Sequence, residues 1–209
     1  MIPKIIHQSY KDWDSKPHFF NKSPELIKEL MPDWEYKFWS DEDLDLFIKE
    51  TYPDSYEMWL TLTPKIKRID VSRYYLLHHF GGVYLDMDFH LRKDIEHLLT
   101  GAKIFSYKSY QAVVKGWDFF GNAFMASEKE EDFWLDLIQW IYEQPNSDGV
   151  LQHTGPMGIG KFLVNKPQYN TCIFSHHIFD NSQCGDGIGK GEYGVHHRAA
   201  TWQGKGSEK

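Results

Sequence analysis

The stretch from Pro64 to Asp88 constrains the fold of this chain more than any other. Pro64 stands where a first helical turn tolerates proline. Apolar residues follow at Ile66, Ile69, Leu76, Leu77 and Phe80, with Arg73 on the same stripe. Gly81-Gly82 ends that helix, because a left-handed terminating residue favours glycine. Val83-Tyr84-Leu85 then reads as a short buried strand and runs directly into Asp86-Met87-Asp88. A helix feeding a buried strand that stops at two carboxylates predicts an α/β chain with polar chemistry at a strand's carboxyl end, where ligands of such sheets bind.

The flanking sequence extends the pattern. Lys4–His7 and Glu35–Trp39 read as strands, and 24–30 as a helix after a polar loop. Ser40 caps a helix whose first turn holds Asp41, Glu42 and Asp43, the charge that helix end prefers. Strands are expected near Lys103–Tyr107 and Phe119–Ala126. Ser127 with Glu130 spells a capping box for a helix carrying Phe133, Trp134, Leu137, Ile138 and Ile141. Thr154-Gly155-Pro156 opens a further short helix, and the glycines of 185–194 predict a mobile loop. Without repeats or a long linker, the expectation is one domain over 1–203, an α/β/α sandwich on a mixed, mostly parallel sheet, and a disordered tail over 204–209.

Composition excludes several classes. A formal net charge of −7 opposes a nucleic-acid polymer as partner, although a single nucleotide remains compatible if a cation neutralises its phosphates. No apolar run reaches the ~18 residues of a membrane span, and Met1–His7 lacks a leader's charged start and apolar stretch, so a soluble, cytoplasmic enzyme is expected. The chain has no G-x-x-x-x-G-K-[ST] loop, no G-x-G-x-x-G turn and no G-x-S-x-G elbow. Phosphate would then be held by carboxylates and a metal.

Four clusters are candidates for chemistry. Asp86 and Asp88 offer oxygen ligands of the kind Mn²⁺ or Mg²⁺ prefers, although a D-x-D alone also describes a solvated turn. Asp70 and Arg73 are neighbours on one helix, either an ion pair of little consequence or an inward-facing pair awaiting a polar ligand. His196 or His197 could complete a metal's ligand set, with Trp202 packing the tail over the site, and imidazole suits Mn²⁺ better than Mg²⁺. In His7-Gln8-Ser9-Tyr10, the Tyr10 ring either stacks on a base or joins the core.

In order along the chain, Ile2–Gln8, Asp70-x-x-Arg73, Gly81–Asp88, Thr154-Gly155-Pro156 and His196-His197-x-x-x-x-Trp202 resemble the glycosyltransferases of family 32, over residues 2 to about 202. The chain is also similar to glycosyltransferase domains of large algal viruses, which would place it in a host cytoplasm. The resemblance implies a GT-A fold and a metal-dependent transfer of a hexose or deoxyhexose from a nucleotide-diphosphate sugar, a UDP-sugar first, to a glycan or glycoprotein hydroxyl with retention. It implies donor binding by His7, Gln8, Tyr10, Asp70, Arg73, Asp86, Asp88 and Trp202. Asp70, Arg73 and Asp86 would act at the reacting sugar, and Asp86, Asp88 and His196 or His197 at Mn²⁺ or Mg²⁺. Asn122 would face the sugar or acceptor. Two alternatives remain: a D-x-D phosphatase of the haloacid-dehalogenase type, and a carbohydrate-binding module without catalysis.

Overall fold

A computed structural model of the chain describes residues 1–164, 166, 168–180 and 189–199. The amino-terminal half runs β1 (Ile5–Ser9), α1 (Lys22–Leu30), β2 (Glu35–Trp39), α2 (Asp41–Thr51), α3 (Pro53–Thr61), α4 (Lys65–Phe80), β3 (Gly82–Leu85) and β4 (Phe89–Leu91). The remainder comprises β5 (Ile104–Tyr107), α5 (Tyr110–Lys115), β6 (Phe124–Ser127), α6 (Asp132–Glu143), α7 (Val150–His153), α8 (Pro156–Leu163), β7 (Thr171–Phe174), α9 (His176–Phe179), β8 (Gly189–Lys190) and β9 (Gly194–His196).

Among the described residues the main sheet has six strands in the order β2-β1-β3-β6-β5-β7. Only β6 opposes its neighbours: β1 pairs in parallel with β2 and β3, and β5 with β7, whereas β6 is antiparallel to β3 and β5. The expected mixed, mostly parallel sheet is therefore present. One face buries Val71, Tyr74, Leu77, Trp134, Leu137 and Ile159 from α4, α6 and α8. The other buries Ile27 of α1, Phe179 of α9 and Phe89 of β4. This is the layered α/β sandwich, and its apolar burial drives folding.

Local chemistry explains many boundaries. Ser40 accepts from the Asp43 N–H while the Asp43 carboxylate accepts from the Ser40 N–H, the reciprocal cap that starts α2. At the end of α4, Gly81 and Gly82 both have positive φ, 65° and 85°, and a Cβ on Gly82 would lie 2.4 Å from the Ile5 carbonyl oxygen. Glycine lets the chain turn sharply from α4 into β3 directly beside β1.

Three expectations change. The Ser127–Glu130 capping box does not form. Ser127 is still in β6, and its hydroxyl donates to the Glu128 carbonyl and accepts from Trp134 Nε1. The helix begins only at Asp132. The strand expected over Phe119–Ala126 is confined to Phe124–Ser127: Phe120 N–H turns to Pro156 O at the start of α8, and Gly121 N–H meets only the last carbonyl of β5, at Tyr107. The expected mobile loop over 185–194 contains β8 and the start of β9, and β9 pairs with both β8 and β4 in a small second sheet, while 185–188 lie outside the described residues. Residues 204–209 also lie outside them.

His7 illustrates how the sheet fixes a protonation state. It is fully buried, its Nδ1 accepts from Trp39 Nε1 at 3.1 Å, and its Nε2 faces Gly81 O at 3.1 Å. Nε2 therefore carries the proton, and a second proton on Nδ1 would face an N–H donor. Burial pulls the ring down from 6.5 to about 4. Unfolded, His7 takes up a proton near 6.5, so its stabilisation is complete above that pH and is lost as the pH falls towards 4. The loss expected from this one residue is about 3 kcal/mol. Urea unfolding at several pH values checks this: His7→Gln, which cannot take up the proton, should show a shallower acid slope. An unchanged slope would locate the acid sensitivity elsewhere.

Candidate active site

The candidate site lies where the carboxyl ends of β1 and β3 meet. The Asp86 N–H donates to Ala123 O, Gln8 Nε2 donates to Asp86 O at 3.1 Å, and Phe89 N–H closes a turn onto Asp86 O at 2.9 Å. That turn carries Asp86 and Asp88. Gln8 is itself buried, donating to Ser23 Oγ and accepting from Tyr36 OH. It fixes the acidic turn from beneath.

After the turn, β4 pairs antiparallel with β9, so that Phe89 faces His196, His90 faces Val195 and Leu91 faces Gly194. His197 N–H donates to Asp88 O at 3.0 Å. Successive side chains on a strand point to opposite faces. His196 accordingly points toward Asp88, its Nε2 3.7 Å from Asp88 Oδ1. His197 points away and its Nε2 lies 2.9 Å from His90 Nδ1. A Cβ on Gly194 would sit 2.6 Å from the Phe89 ring, so this close strand approach requires glycine.

Asp86, Asp88 and His196 each present one ligand atom, and these atoms lie within 4.8 Å of one another. Two carboxylate oxygens and one imidazole nitrogen, with Asp88 and His196 too far apart to bond directly, fit a Mn²⁺-type ion better than an alkali ion. The Asp88 carboxylate is aimed by the Ala199 N–H, which donates to Oδ2 at 2.7 Å. On its other edge, His196 Nδ1 lies 3.2 Å from Tyr107 OH and 4.0 Å from Asp180 Oδ2. Burial lowers the His196 pKa, but Asp180, Asp88 and Asp86 outweigh it and hold the ring above its ordinary value. Asp180, almost fully buried, is also paired with Arg198.

The second half of the site comes from α4. Asp70 and Arg73 are 4% and 5% exposed, which decides between the two readings of their spacing: they form an inward-facing pair. Arg73 Nη2 lies 3.3 Å from Asp70 Oδ1, and Nη1 lies 3.0 Å from Asp86 Oδ1 and donates to Asn122 O at 2.8 Å. The guanidinium also sits 4.6 Å from the Tyr84 ring centre. Thr154 Oγ1 and Asn122 Nδ2 donate to the two oxygens of Asp70, at 2.8 and 3.1 Å. Burial raises Asp70 to about 6 against the pull of Arg73. Burial likewise raises Asp86, with Arg73 opposing it. Arg73 thus sits between the carboxyl groups of Asp70 and Asp86.

These groups line a cavity of about 940 Å³, within the range of small-molecule sites. Its wall includes Tyr10, Asp70, Arg73, Asp86, Asp88 and His196. Tyr10 is half-buried and packs edge-on against Phe20, with centroids 5.3 Å apart. The structure does not bring His7 to this wall, because its two ring nitrogens are engaged in the core, and Gln8 reaches the site only through the Asp86 backbone. His197 is outside the acidic cluster, and Trp202 lies outside the described residues. Sequence reasoning missed Tyr84, Tyr107 and Asp180. Tyr84 had a usable signal, since it shares a strand face with Asp86 two residues on; Asp180 had none. No helix among the described residues is long and apolar enough to cross a membrane.

The chain is similar to known proteins along much of its length. Mannosyl phosphorylinositol ceramide synthase CSH1 of Saccharomyces cerevisiae is 39% identical over 139 residues, covering 66% of this chain and 35% of the relative. Inositol phosphoceramide mannosyltransferase 2 of Schizosaccharomyces pombe is 36% identical over 173 residues, covering 79% of this chain and 47% of the relative. The chain thus spans between a third and a half of these curated relatives. Among solved structures, the PaToxG glycosyltransferase superposes with a TM-score of 0.63 at 18% identity, over 80% of this chain and 70% of that one. The shared fold is the expected GT-A type. Residues 17–105 match the family described as the glycosyltransferase sugar-binding region containing the DXD motif. The chain belongs to that family of glycosyltransferases.

Proposed function

We propose that this chain transfers a hexose from a nucleotide-diphosphate sugar to an acceptor hydroxyl, with Asp86, Asp88 and His196 holding a divalent cation at the donor's diphosphate. The observation that carries this reading is the convergence of those three ligand atoms within 4.8 Å, in the wall of a cavity large enough for the donor. A cation bound there supplies Lewis-acid charge to the departing diphosphate. Arg73, locked between Asp70 and Asp86, adds a positive group that needs no reorganisation as charge develops. Asp70, with Thr154 and Asn122 fixed on its oxygens, presents a rigid polar edge to the sugar hydroxyls. Tyr10 offers a ring edge or face to the base.

Retention of anomeric configuration is part of the proposal. The acceptor oxygen attacks the anomeric carbon on the face from which the diphosphate leaves with its bonding pair, and the acceptor proton passes to the departing phosphate oxygen. Asp70 and Asp86 are both ion-paired with Arg73, which makes them weak nucleophiles and favours this course over a covalent sugar intermediate. The names of the relatives make mannose the first sugar to test, and the sequence resemblance makes uridine diphosphate the first nucleotide.

A panel of UDP- and GDP-sugars, assayed for slow release of the nucleoside diphosphate into water, tests the reading. At least one donor should turn over, with activity abolished by EDTA and restored by Mn²⁺. Turnover that survives complete chelation would overturn the metal-dependent mechanism.

A further inference from the structure

A second hollow, of about 560 Å³, adjoins the donor cavity: Trp117 and Met157 line both. We propose that this hollow is the acceptor subsite and that it takes a pyranoside presenting vicinal hydroxyls; the inference rests on the donor reading above.

Its position follows from the two chain segments that leave Asp70. Asn122 and Thr154 both bond the Asp70 carboxylate. Read backward from Asn122 the chain reaches Trp117 and Asp118, and read forward from Thr154 it reaches Met157, so both segments run from the sugar end of the donor cavity to the walls of the second hollow. An acceptor seated there meets the donor sugar across Trp117 and Met157.

Its walls are held firmly. Lys67 is 1% exposed, and its ammonium donates to the backbone carbonyls of Asn146 and Asp148 at 2.6 and 2.8 Å. A buried cation committed to loop carbonyls is an expensive strut, and the loop it braces carries Asp148 and Gly149 into the hollow. Opposite, a Cβ on Gly160 of α8 would lie 2.4 Å from the Asp118 carbonyl, so that helix packs directly on the backbone beside Trp117. Gly116 ends α5 in the left-handed conformation and turns the half-buried Trp117 into the wall.

The lining chemistry matches a sugar. An indole offers an apolar platform, with Lys115 at 4.5 Å from its centre. Asp118, Asp148, Gln152 and Lys161 share this lining with it. Carboxylate and carboxamide groups pair with vicinal hydroxyls, and an indole face packs on a pyranoside ring.

The test measures nucleoside diphosphate release with the donor identified by the panel above. Methyl α-D-mannopyranoside, methyl α-D-glucopyranoside and methyl α-D-galactopyranoside are compared with myo-inositol 1-phosphate, in wild type, Asp148→Asn and Gln152→Ala. Neither substitution removes the carbonyl that Lys67 grips, and unchanged melting temperatures confirm folding. At least one methyl pyranoside should raise release above hydrolysis. Each variant should raise its KM by about 10-fold, with acceptor-free hydrolysis and donor affinity unchanged. An unchanged KM, no response to any pyranoside, or a response to the inositol phosphate alone overturns the subsite. Absence of metal-dependent hydrolysis in the wild type sinks the donor reading itself, a separate result.

Discussion

Arg73→Ala is expected to destabilise the protein by about 3–5 kcal/mol, the effect of removing one partner from a buried charge network. Arg73 is 5% exposed and holds Asp70 at 3.3 Å, Asp86 at 3.0 Å and the Asn122 carbonyl at 2.8 Å. Without it, Asp70 stays buried without its cation, and half-buried Asp86 retains only the pull of His196. Burial already raises both, and losing Arg73 removes the main force opposing that rise. The variant should therefore lose stability most steeply at neutral and higher pH, where both would have to ionise. Urea unfolding checks this. Arg73→Ala combined with Asp70→Asn should lose less than the sum of the single changes, because one stranded charge is gone. Strict additivity would mean that Arg73 and Asp70 do not act as a unit. Arg73→Lys keeps the charge but not the planar fork that reaches three acceptors, so it should fall between wild type and alanine.

Asp88→Asn should lower kcat/KM by on the order of 10³-fold or more, with stability within about 1 kcal/mol of wild type. The contrast with Arg73 comes from geometry. The fold uses Asp88 through Oδ2, which accepts from the Ala199 N–H, and an asparagine oxygen can accept the same bond. The other oxygen faces His196 at 3.7 Å and has its part in ion binding. The substitution removes a negative ligand without removing the structural bond. Steady-state rates at saturating Mn²⁺ and a melting curve decide the matter. A correctly folded variant with near-normal turnover would dissociate Asp88 from the metal.

What could be read from the sequence was mostly local. Ser40 with three acidic residues announced α2, and Glu35–Trp39 forms the expected strand to the residue, because both are set by neighbours in the chain. The acidic pair at the end of β3 was visible for the same reason. Tertiary choices were not. Ser127 and Glu130 have capping-box spacing, yet the Trp134 indole takes the Ser127 hydroxyl and the sheet keeps its backbone. The value of the Asp70–Arg73 pair depended on burial that spacing cannot report. The choice between His196 and His197 is made by the β4–β9 register, since a slip of one residue would exchange their faces. Asp180, which pairs with Arg198 and flanks His196, approaches the acidic turn only through α9 and the small sheet. Nothing in its sequence context marks it.

The central claim is that Asp86, Asp88 and His196 hold a divalent cation against a nucleoside diphosphate. Calorimetric titration of UDP and of GDP into the protein, with and without Mn²⁺, tests this directly. The account predicts that the preferred nucleotide binds on the order of 100-fold more tightly with the metal, and that Asp88→Asn abolishes the difference. Equal affinity with and without Mn²⁺, or a metal effect that persists in Asp88→Asn, would contradict it.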